Sequence, residues 1–344
     1  MVRELVGLRR HGINGRMYVR YRLFDDDRYT AEQKRQFTGF RFQETAYKSL
    51  NDAALIAHSG LGAFWDGKVD KVLFDALMRL NGIPTPPLLA IYDADAPAYA
   101  QAETLASPDE VKDFLMRSSG ELFAKPARAH SGEGAIRVRA VTKGTALLAD
   151  GTTVSLTELA RMITRWPRTV IQRAVSAHPE LVAVVGDNAL PTVRMVLLRR
   201  PRASTLHRAV IRIPTGTSFV DNYGSGTDGN FVASVDVLTG VLVAAYRGWG
   251  LDQVRQPAHP DTGRQLEGMH LPDWQEAVDL TLRASQVLGG MPLQSWDIGL
   301  SADGPIAVEV NDKSGQDILQ VAGPPGMLDE SLQSFLGECG LRWP

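Results

Sequence analysis

Near the end of the chain two β-rich runs, residues 296–300 and 306–310, are separated by a short turn, and the register between them decides what that sheet face can carry. Side chains alternate faces along a strand, so a slip of one residue sends every polar group to the opposite side. If the connection is Asp303-Gly304, Asp297 lies opposite Val310 and faces away from Glu309. If it is Ala302-Asp303-Gly304, a type I turn with Gly304 left-handed, Asp297 lies opposite Glu309 and Asn311 follows two residues along the same face. Glycine sits where that turn needs positive φ, so the three-residue loop is the expectation. Two carboxylates and an amide then converge, an oxygen set that suits a hard cation such as Mg2+. The competing reading is a pair of solvated carboxylates. It is weakened by the mostly apolar run in which Ile306 and Val308 alternate with Ala307 and Glu309.

Upstream, helices and antiparallel strands are mixed, which argues for an α+β fold rather than a regularly alternating parallel sheet. Asp70 can cap a helix on which Val72, Leu73, Leu77 and Leu80 fall at helical spacing, stopped by Gly82 and Pro84. A strand follows at 88–92 and a helix at 109–117. The runs 121–125 and 135–141 then form a hairpin whose polar, glycine-bearing tip, 127–134, is expected to be mobile. A helix at 156–165 and a strand at 169–175 come next, then β-rich runs at 181–185, 192–199 and 207–213. In the helix 273–288, Asp273 and Glu276 resemble a capping box, Val278, Thr281, Leu282 and Ser285 share a face, and Gly289-Gly290 ends it.

At 344 residues and 44% hydrophobic the chain can bury one large core or a few smaller ones. A formal net charge of -2 supplies no global field for a phosphate backbone, so nucleic acid is not an expected partner. Arg3, Arg9 and Arg10 precede no apolar run and no segment reaches membrane-spanning length, so neither leader nor membrane is expected and the location is read as cytoplasmic. The lone Cys339 rules out internal disulfides and cysteine-based zinc, and it is read as structural or incidental. Arg9, Arg10, Arg16, Arg20, Arg22 and Arg28 crowd a mixed helical N-terminal region. They either dock an acidic partner or form a solvated face.

Glycine-rich segments compete for a phosphate role. Gly224-Ser225-Gly226-Thr227-Asp228-Gly229 matches a dinucleotide fingerprint, but a β-rich run beginning at Phe231 follows it where a helix N-terminus is needed. That reading is rejected. The segment from Lys125 through His130, Ser131, Gly132 and Gly134 suits a clamp: a lysine at a strand end for phosphate oxygens, then glycines that let backbone amides approach a polyanion. An exposed lysine beside an ordinary hairpin loop stays open as the alternative. Arg194 and Arg212 sit inside apolar strands and require partners, either structural carboxylates or anionic groups in a cleft. Asp221 and Asn222 lie close enough in sequence to share a site with Arg212. Histidines are scattered, no serine sits in a nucleophile elbow, and hydrolase triads gain little support.

Taken in order, four pieces resemble the ATP-grasp superfamily: the Lys71 helix ending Asn81-Gly82-Ile83-Pro84-Thr85-Pro86, Phe123-Ala124-Lys125-Pro126 with its glycine loop, Val170-Ile171-Gln172-Arg173, and Asp297 with Glu309-Val310-Asn311. With Thr192-Val193-Arg194 and Val220-Asp221-Asn222, the later part is similar to the sugar-transfer-associated branch. The resemblance covers residues 70–320. It implies an ATP-grasp fold of two α+β lobes clasping ATP, preceded by a mixed helical region at 1–69. The linker helix and pre-lobe segment would be 70–118, the small lobe 119–176 and the large lobe 177–344. Lys71, Lys125, His130, Ser131, Gly132 and Gly134 would meet the phosphates, Gln172, Arg173 and Val175 the adenine at a hinge, and Glu180 the ribose. Asp297, Glu309 and Asn311 would hold Mg2+ or Mn2+. Arg194 and Arg212 would steady the γ-phosphate and an acyl-phosphate, and Asp221, Asn222 and Gly226 would meet substrate. Gln172 stands where many relatives carry Glu, and Gly224-Ser225-Gly226 replaces an expected glycine pair, which leaves substrate contacts open.

The implied activity is a carboxylate–amine ligase that forms an amide or related C–N bond and releases ADP and phosphate. Its substrates would be a small-molecule carboxylate and an amine, with a sugar derivative among the candidates, in polysaccharide or specialised-metabolite biosynthesis. A homodimer is admitted as the assembly. The alternatives are a kinase on the same fold and a nucleotide-binding protein without turnover.

Overall fold

The computed structural model describes residues 2–51, 69–95, 98–129, 132–224, 229–312, 317–323 and 326–341. His130, Ser131 and Gly226 lie outside the described residues.

Among the described residues two seven-stranded sheets carry the fold. The first has the order β2-β1-β7-β3-β4-β5-β6, from β1 (Leu88–Asp93), β2 (Glu103–Leu105), β3 (Leu122–Pro126), β4 (Ile136–Thr142), β5 (Thr145–Leu148), β6 (Thr153–Ser155) and β7 (Arg168–Arg173). β1 and β2 are parallel, and β7 is antiparallel to both of its neighbours, β1 and β3. Segment 70–118 is therefore built into this lobe through β1 and β2 rather than leading up to it. Two helices, α6 (Pro108–Arg117) and α7 (Leu156–Ile163), bury Val111, Phe114, Leu115, Leu159 and Ile163 in its core.

The second sheet has the order β12-β11-β10-β9-β8-β13-β14. Its strands are β8 (Thr192–Arg200), β9 (Ala203–Ile213), β10 (Phe231–Val235), β11 (Leu242–Arg247), β12 (Val254–Arg255), β13 (Leu293–Ser301) and β14 (Gly304–Asn311). Its two faces meet different surroundings. Val193, Met195, Leu197, Ile211, Phe231, Trp296 and Ile298 pack under α9 (Trp274–Val287). On the other face, Val196, Leu198, Val210, Val232 and Leu293 pack against the N-terminal helices α1 (Val2–Leu8), α2 (Gly15–Arg20) and α4 (Phe40–Leu50), with α3 (Ala31–Arg35) between the last two in sequence, and against α10 (Asp317–Val321) and α11 (Glu330–Glu338). That cover stops short of Arg194 and Asp297, where the same face turns polar.

Of the N-terminal arginines, Arg9, Arg10 and Arg16 are exposed, while Arg20, Arg22 and Arg28 are half-buried and dock their own segment on the sheet. Arg20 stacks 4.0 Å from the Trp249 ring centre and Arg28 4.4 Å from that of Tyr246. Arg28 donates to the Gln253 side chain at 2.7 Å, and Arg22 to the Gln253 carbonyl at 3.1 Å.

Three local expectations are corrected. Residues 181–185 are not a strand but most of a helix, α8 (Pro179–Val185), whose start is set by His178 accepting from the Glu180 amide and by Pro179 at the first turn. These signals, with Leu181 and Val184 buried, outweigh the β propensity of the valines. Asp273 makes no cap hydrogen bond and has φ 51°, so α9 starts without a capping box, and its buried stripe is Trp274, Ala277, Leu280, Thr281, Ala284 and Ser285. The Asp70 cap of α5 (Lys71–Leu80) holds, its side chain accepting from the Val72 amide, but Leu73 and Leu80 face solvent, Leu80 at 85% exposure. Phe74 and Met78 are buried instead, against the large-sheet core, while Val72 faces the small lobe. Helical spacing alone could not choose between the two faces of a helix that touches both lobes. Among the described residues no helix is long and apolar enough to cross a membrane.

Candidate active site

A cleft of about 610 Å³ lies between the two sheets. Its floor is the polar end of the large sheet, with Thr192, Arg194, Arg212, Asp297, Glu309 and Asn311. Lys71, Lys125 and Gly132, Glu133 and Ala135 of the turn before β4 face it, Gly134 does not line it, and residues 172–175 close one side.

The floor exists because of an irregular hairpin. Ser301 pairs with Gly304, so the turn is the two residues Ala302-Asp303 and not the expected three. Gly304 does have a positive φ, +100°. From Ser301 to Ile298 the ladder runs on this register, which if continued would set Asp297 opposite Val308. A bulge intervenes: Ile298 pairs with Ala307, but Asp297 pairs with Glu309. Val308 is the inserted residue, and both it and Glu309 line the cleft. Trp296 then pairs with Val310 and Ser295 with Asn311, so Asp297, Glu309 and Asn311 share the cleft face. The expected opposition of Asp297 and Glu309 is present, produced by a mid-strand bulge instead of a longer turn, and a two-residue turn does not break it.

Arg194 and Arg212 do both things that were open to them, pairing with carboxylates and lining the cleft. Arg194 stands directly across from Asp297 in the ladder and donates to both of its oxygens, Nε to Oδ1 and Nη2 to Oδ2, each at 2.8 Å. Arg212 reaches Asp297 Oδ2 at 3.0 Å and Asp221 Oδ2 at 3.3 Å. Burial alone would raise the Asp297 pKa, but the two guanidinium groups outweigh it and hold it down to about 2. Arg194 is likewise desolvated, yet Asp297 leaves its pKa raised. Asp221 differs, since burial pushes its carboxyl up despite Arg212 and despite the Thr192 amide donating to it at 2.8 Å. Asp221 thus ties the loop before Gly224 to the start of β8.

Above the floor, α5 is fixed to the segment after β3 by the Lys71 amide donating to Ala127 O at 3.0 Å. The Lys71 ammonium donates to Ala129 O at 2.7 Å and stands 3.9 Å from Glu309. Lys125 is the less accommodated of the pair: burial, then the neighbouring Lys71 charge, lower its pKa to about 8. Gln172 is buried and donates to Pro86 O at 3.3 Å, Arg173 donates to Ser119 O at 3.0 Å, and both line the cleft together with Val175. Asn222 and Gly224 line it too. Glu180 is exposed on α8 and does not, so the structure does not bring it to the other residues.

A hard cation fits the donors on the floor in part. Glu309 and Asn311 line the cleft, and Asn311 Nδ2 is buried without a hydrogen-bond partner; the amide turned over presents its oxygen instead. Asp297 is committed to two arginines, and among the described residues no three of His, Cys, Asp and Glu gather as a ready metal group. Such a cation would rely on Glu309, Asn311 and an Asp297 shared with guanidinium.

Sequence reasoning missed Arg137. It lies on β4, is buried, lines the cleft, and donates to Glu121 at 2.8 and 3.0 Å and to the Asn188 carbonyl of the other lobe. An arginine inside an apolar alternating run was the signal, the same one that picked out Arg194 and Arg212.

A family model described as sugar-transfer associated ATP-grasp matches residues 68–335. No curated protein matches the sequence. Among solved structures the chain is similar to D-alanyl-alanine synthetase A from Vibrio cholerae, with 15% identity and a TM-score of 0.42 over 78% of this chain and 63% of that one. D-cycloserine synthetase DcsG shares 15% identity with a TM-score of 0.43 over 88% and 82% of the two chains. An L-amino acid ligase from Bacillus licheniformis shares 12% with a TM-score of 0.41 over 77% and 47%. The chain spans less than two thirds of the first and third of these.

Proposed function

Because the chain belongs to the sugar-transfer associated ATP-grasp family, we propose that it is an ATP-dependent ligase joining a small-molecule carboxylate to an amine. The observation that carries this reading is the cleft itself, a space of about 610 Å³ lined together by Lys71, Lys125 and the Asp297–Glu309 rung. Cations above and carboxylates below suit a magnesium polyphosphate.

In this reading Lys71 and Lys125 bind phosphate oxygens, and residues 172–175 border the base. A carboxylate oxygen of the first substrate attacks the γ-phosphorus, the bond to the β-phosphate oxygen breaks, and ADP leaves. The amine then attacks the carbonyl carbon of the acyl-phosphate, loses a proton, and phosphate departs. Arg194 and Arg212, aligned by Asp297 and Asp221, stabilise the negative charge that develops at the transferred group. Asp297, Glu309 and Asn311 would hold Mg2+ or Mn2+, which when bound neutralises phosphate charge. No protein nucleophile is needed.

The test is product analysis with ATP and Mg2+ over a panel of carboxylates paired with amines and amino sugars. ADP and phosphate are expected, with an acyl-phosphate trapped by hydroxylamine; AMP and pyrophosphate would contradict the reading, and a phosphorylated product stable to hydroxylamine would make the protein a kinase. Glu309→Gln should raise the Mg2+ concentration needed for half-maximal turnover by about tenfold or more.

A further inference from the structure

One end of the cleft is walled by residues that the N-terminal region holds in place. Tyr223, Gly224, Asp317 and Ile318 line it there. Asp317 opens α10, and its carboxylate pairs with Arg20, the last residue of α2. The Arg20 guanidinium lies 4.0 Å from the Trp249 ring centre, with Arg16 at 5.5 Å from the same ring. The Tyr223 hydroxyl donates to the carbonyl of Gly248, the residue before Trp249. Helix α2, the corner after β11 and the cleft wall therefore meet at one ion pair. Arg20 lies outside residues 68–335, so the matched region does not complete this wall by itself.

Lys125 of β3 and Lys71 of α5, the helix between the lobes, stand over Glu309. Arg194 and Arg212 are matched by Asp297 and Asp221 on the floor. Asp317 on the wall is matched by Arg20, and its side chain still keeps 25% exposure, against 16% for Arg20. A carboxylate held by one guanidinium and still open to the cleft accepts an N–H or O–H group on its remaining lone pairs.

Resting on the ligase reading above, we propose that Asp317 binds the second substrate through a hydrogen-bond donor of that molecule, an ammonium or a sugar hydroxyl. Arg20 is the positioning residue that fixes the carboxylate against Trp249. The N-terminal region is then part of the specificity apparatus and more than a cover for the sheet.

Steady-state kinetics with the best acceptor of the panel test this. Asp317→Asn should raise the acceptor KM about tenfold or more while the ATP KM stays within about twofold. Arg20→Met should move the acceptor KM the same way, and Arg20→Lys, which keeps the charge without the fork, should fall between Arg20→Met and wild type. A purely structural Arg20 would instead change kcat and both KM values together. Comparing amine and hydroxyl analogues of the acceptor identifies which donor Asp317 reads. Calorimetric titration of the same compounds with ADP present separates the two claims. If acceptors bind in an Asp317-dependent manner without turnover, the inference stands and the ligase reading falls. If turnover occurs and both Asp317→Asn and Arg20→Met leave the acceptor KM within about twofold, the inference falls and the ligase reading stands. No binding and no turnover by any amine or hydroxyl compound would overturn both.

Discussion

Lys125 is the residue whose environment makes the sharpest statement about ligand. Burial and Lys71 bring its pKa from 10.5 to about 8, and the carboxylates of Glu309, Asp297 and Asp221 only partly offset them. Because the folded value is the lower one, the unfolded chain binds more protons between pH 8 and 10.5. Stability therefore rises with pH across that window, and below pH 8 the destabilisation is fully present. A polyphosphate beside the ammonium reverses the balance, since it favours the charged form. Nucleotide binding at pH 8 is thus expected to take up about half a proton, falling toward none by pH 6.5. Calorimetry in buffers of different ionisation enthalpy measures this, with Lys125→Met subtracting the nucleotide's own contribution. An uptake that persists unchanged in Lys125→Met would remove Lys125 from the phosphate site.

At the scale of elements, two glycines of the small-lobe turn separate a conformational need from a packing need. Gly132 has φ +74°, and a Cβ there would meet only Val220 at an ordinary 3.6 Å. Gly134 has φ +69°, and its Cβ would lie 2.6 Å from Trp166 Nε1 and 2.8 Å from Pro126 Cγ. Gly132→Ala should destabilise by about 1 kcal/mol through backbone strain alone, and Gly134→Ala by about 2–4 kcal/mol because packing is added. Urea midpoints at constant m-value give both numbers, and equal losses would contradict the packing argument. Gly134 also shows the limit of what the sequence made legible. A glycine near a lysine suggested room for a polyanion, whereas the neighbour that forbids a side chain is Trp166, remote in sequence. The longer elements between α5 and β14 were mostly readable, because alternation is local, but β2, β5, β6, β11 and β12 were not read. The strand reading of residues 181–185 failed because a short valine run carries no period that separates helix from strand, and His178 as cap is an uncommon signal. The opposition of Asp297 and Glu309 was anticipated for the wrong reason, since a turn announces itself by its glycine but a bulge at Val308 leaves no mark in composition.

For the whole molecule, the cleft depends on how the lobes meet away from the hinge. Glu121, just before β3, accepts from Arg137 at 2.8 Å and from Arg139 at 3.1 Å. Both arginines then reach across to the loop after α8, Arg137 to the Asn188 carbonyl and Arg139 to Asn188 Oδ1 at 2.7 Å. Asn188 Nδ2 in turn donates to Thr217 O at 2.5 Å, in the loop that leads to Val220. One asparagine therefore joins the small-lobe arginines to the large-lobe loop facing Gly132. Asn188→Ala removes both side-chain bonds but keeps the carbonyl that Arg137 uses, so no buried charge is stripped of its partners. Exposed polar contacts of this kind contribute little to stability, and the unfolding free energy should fall by no more than about 1 kcal/mol. Their effect on lobe closure is larger in proportion, because a change of about 1 kcal/mol between closed and open arrangements alters their ratio roughly fivefold. If nucleotide is bound by the closed arrangement, Asn188→Ala should weaken nucleotide affinity several-fold where closure is already the minority state. In the same variant hydrogen exchange should quicken in residues 132–135 and 217–220. Faster exchange there with unchanged nucleotide affinity would show that closure at this latch does not limit binding. Unchanged exchange would show that Arg137 and Glu121 hold the lobes together without Asn188.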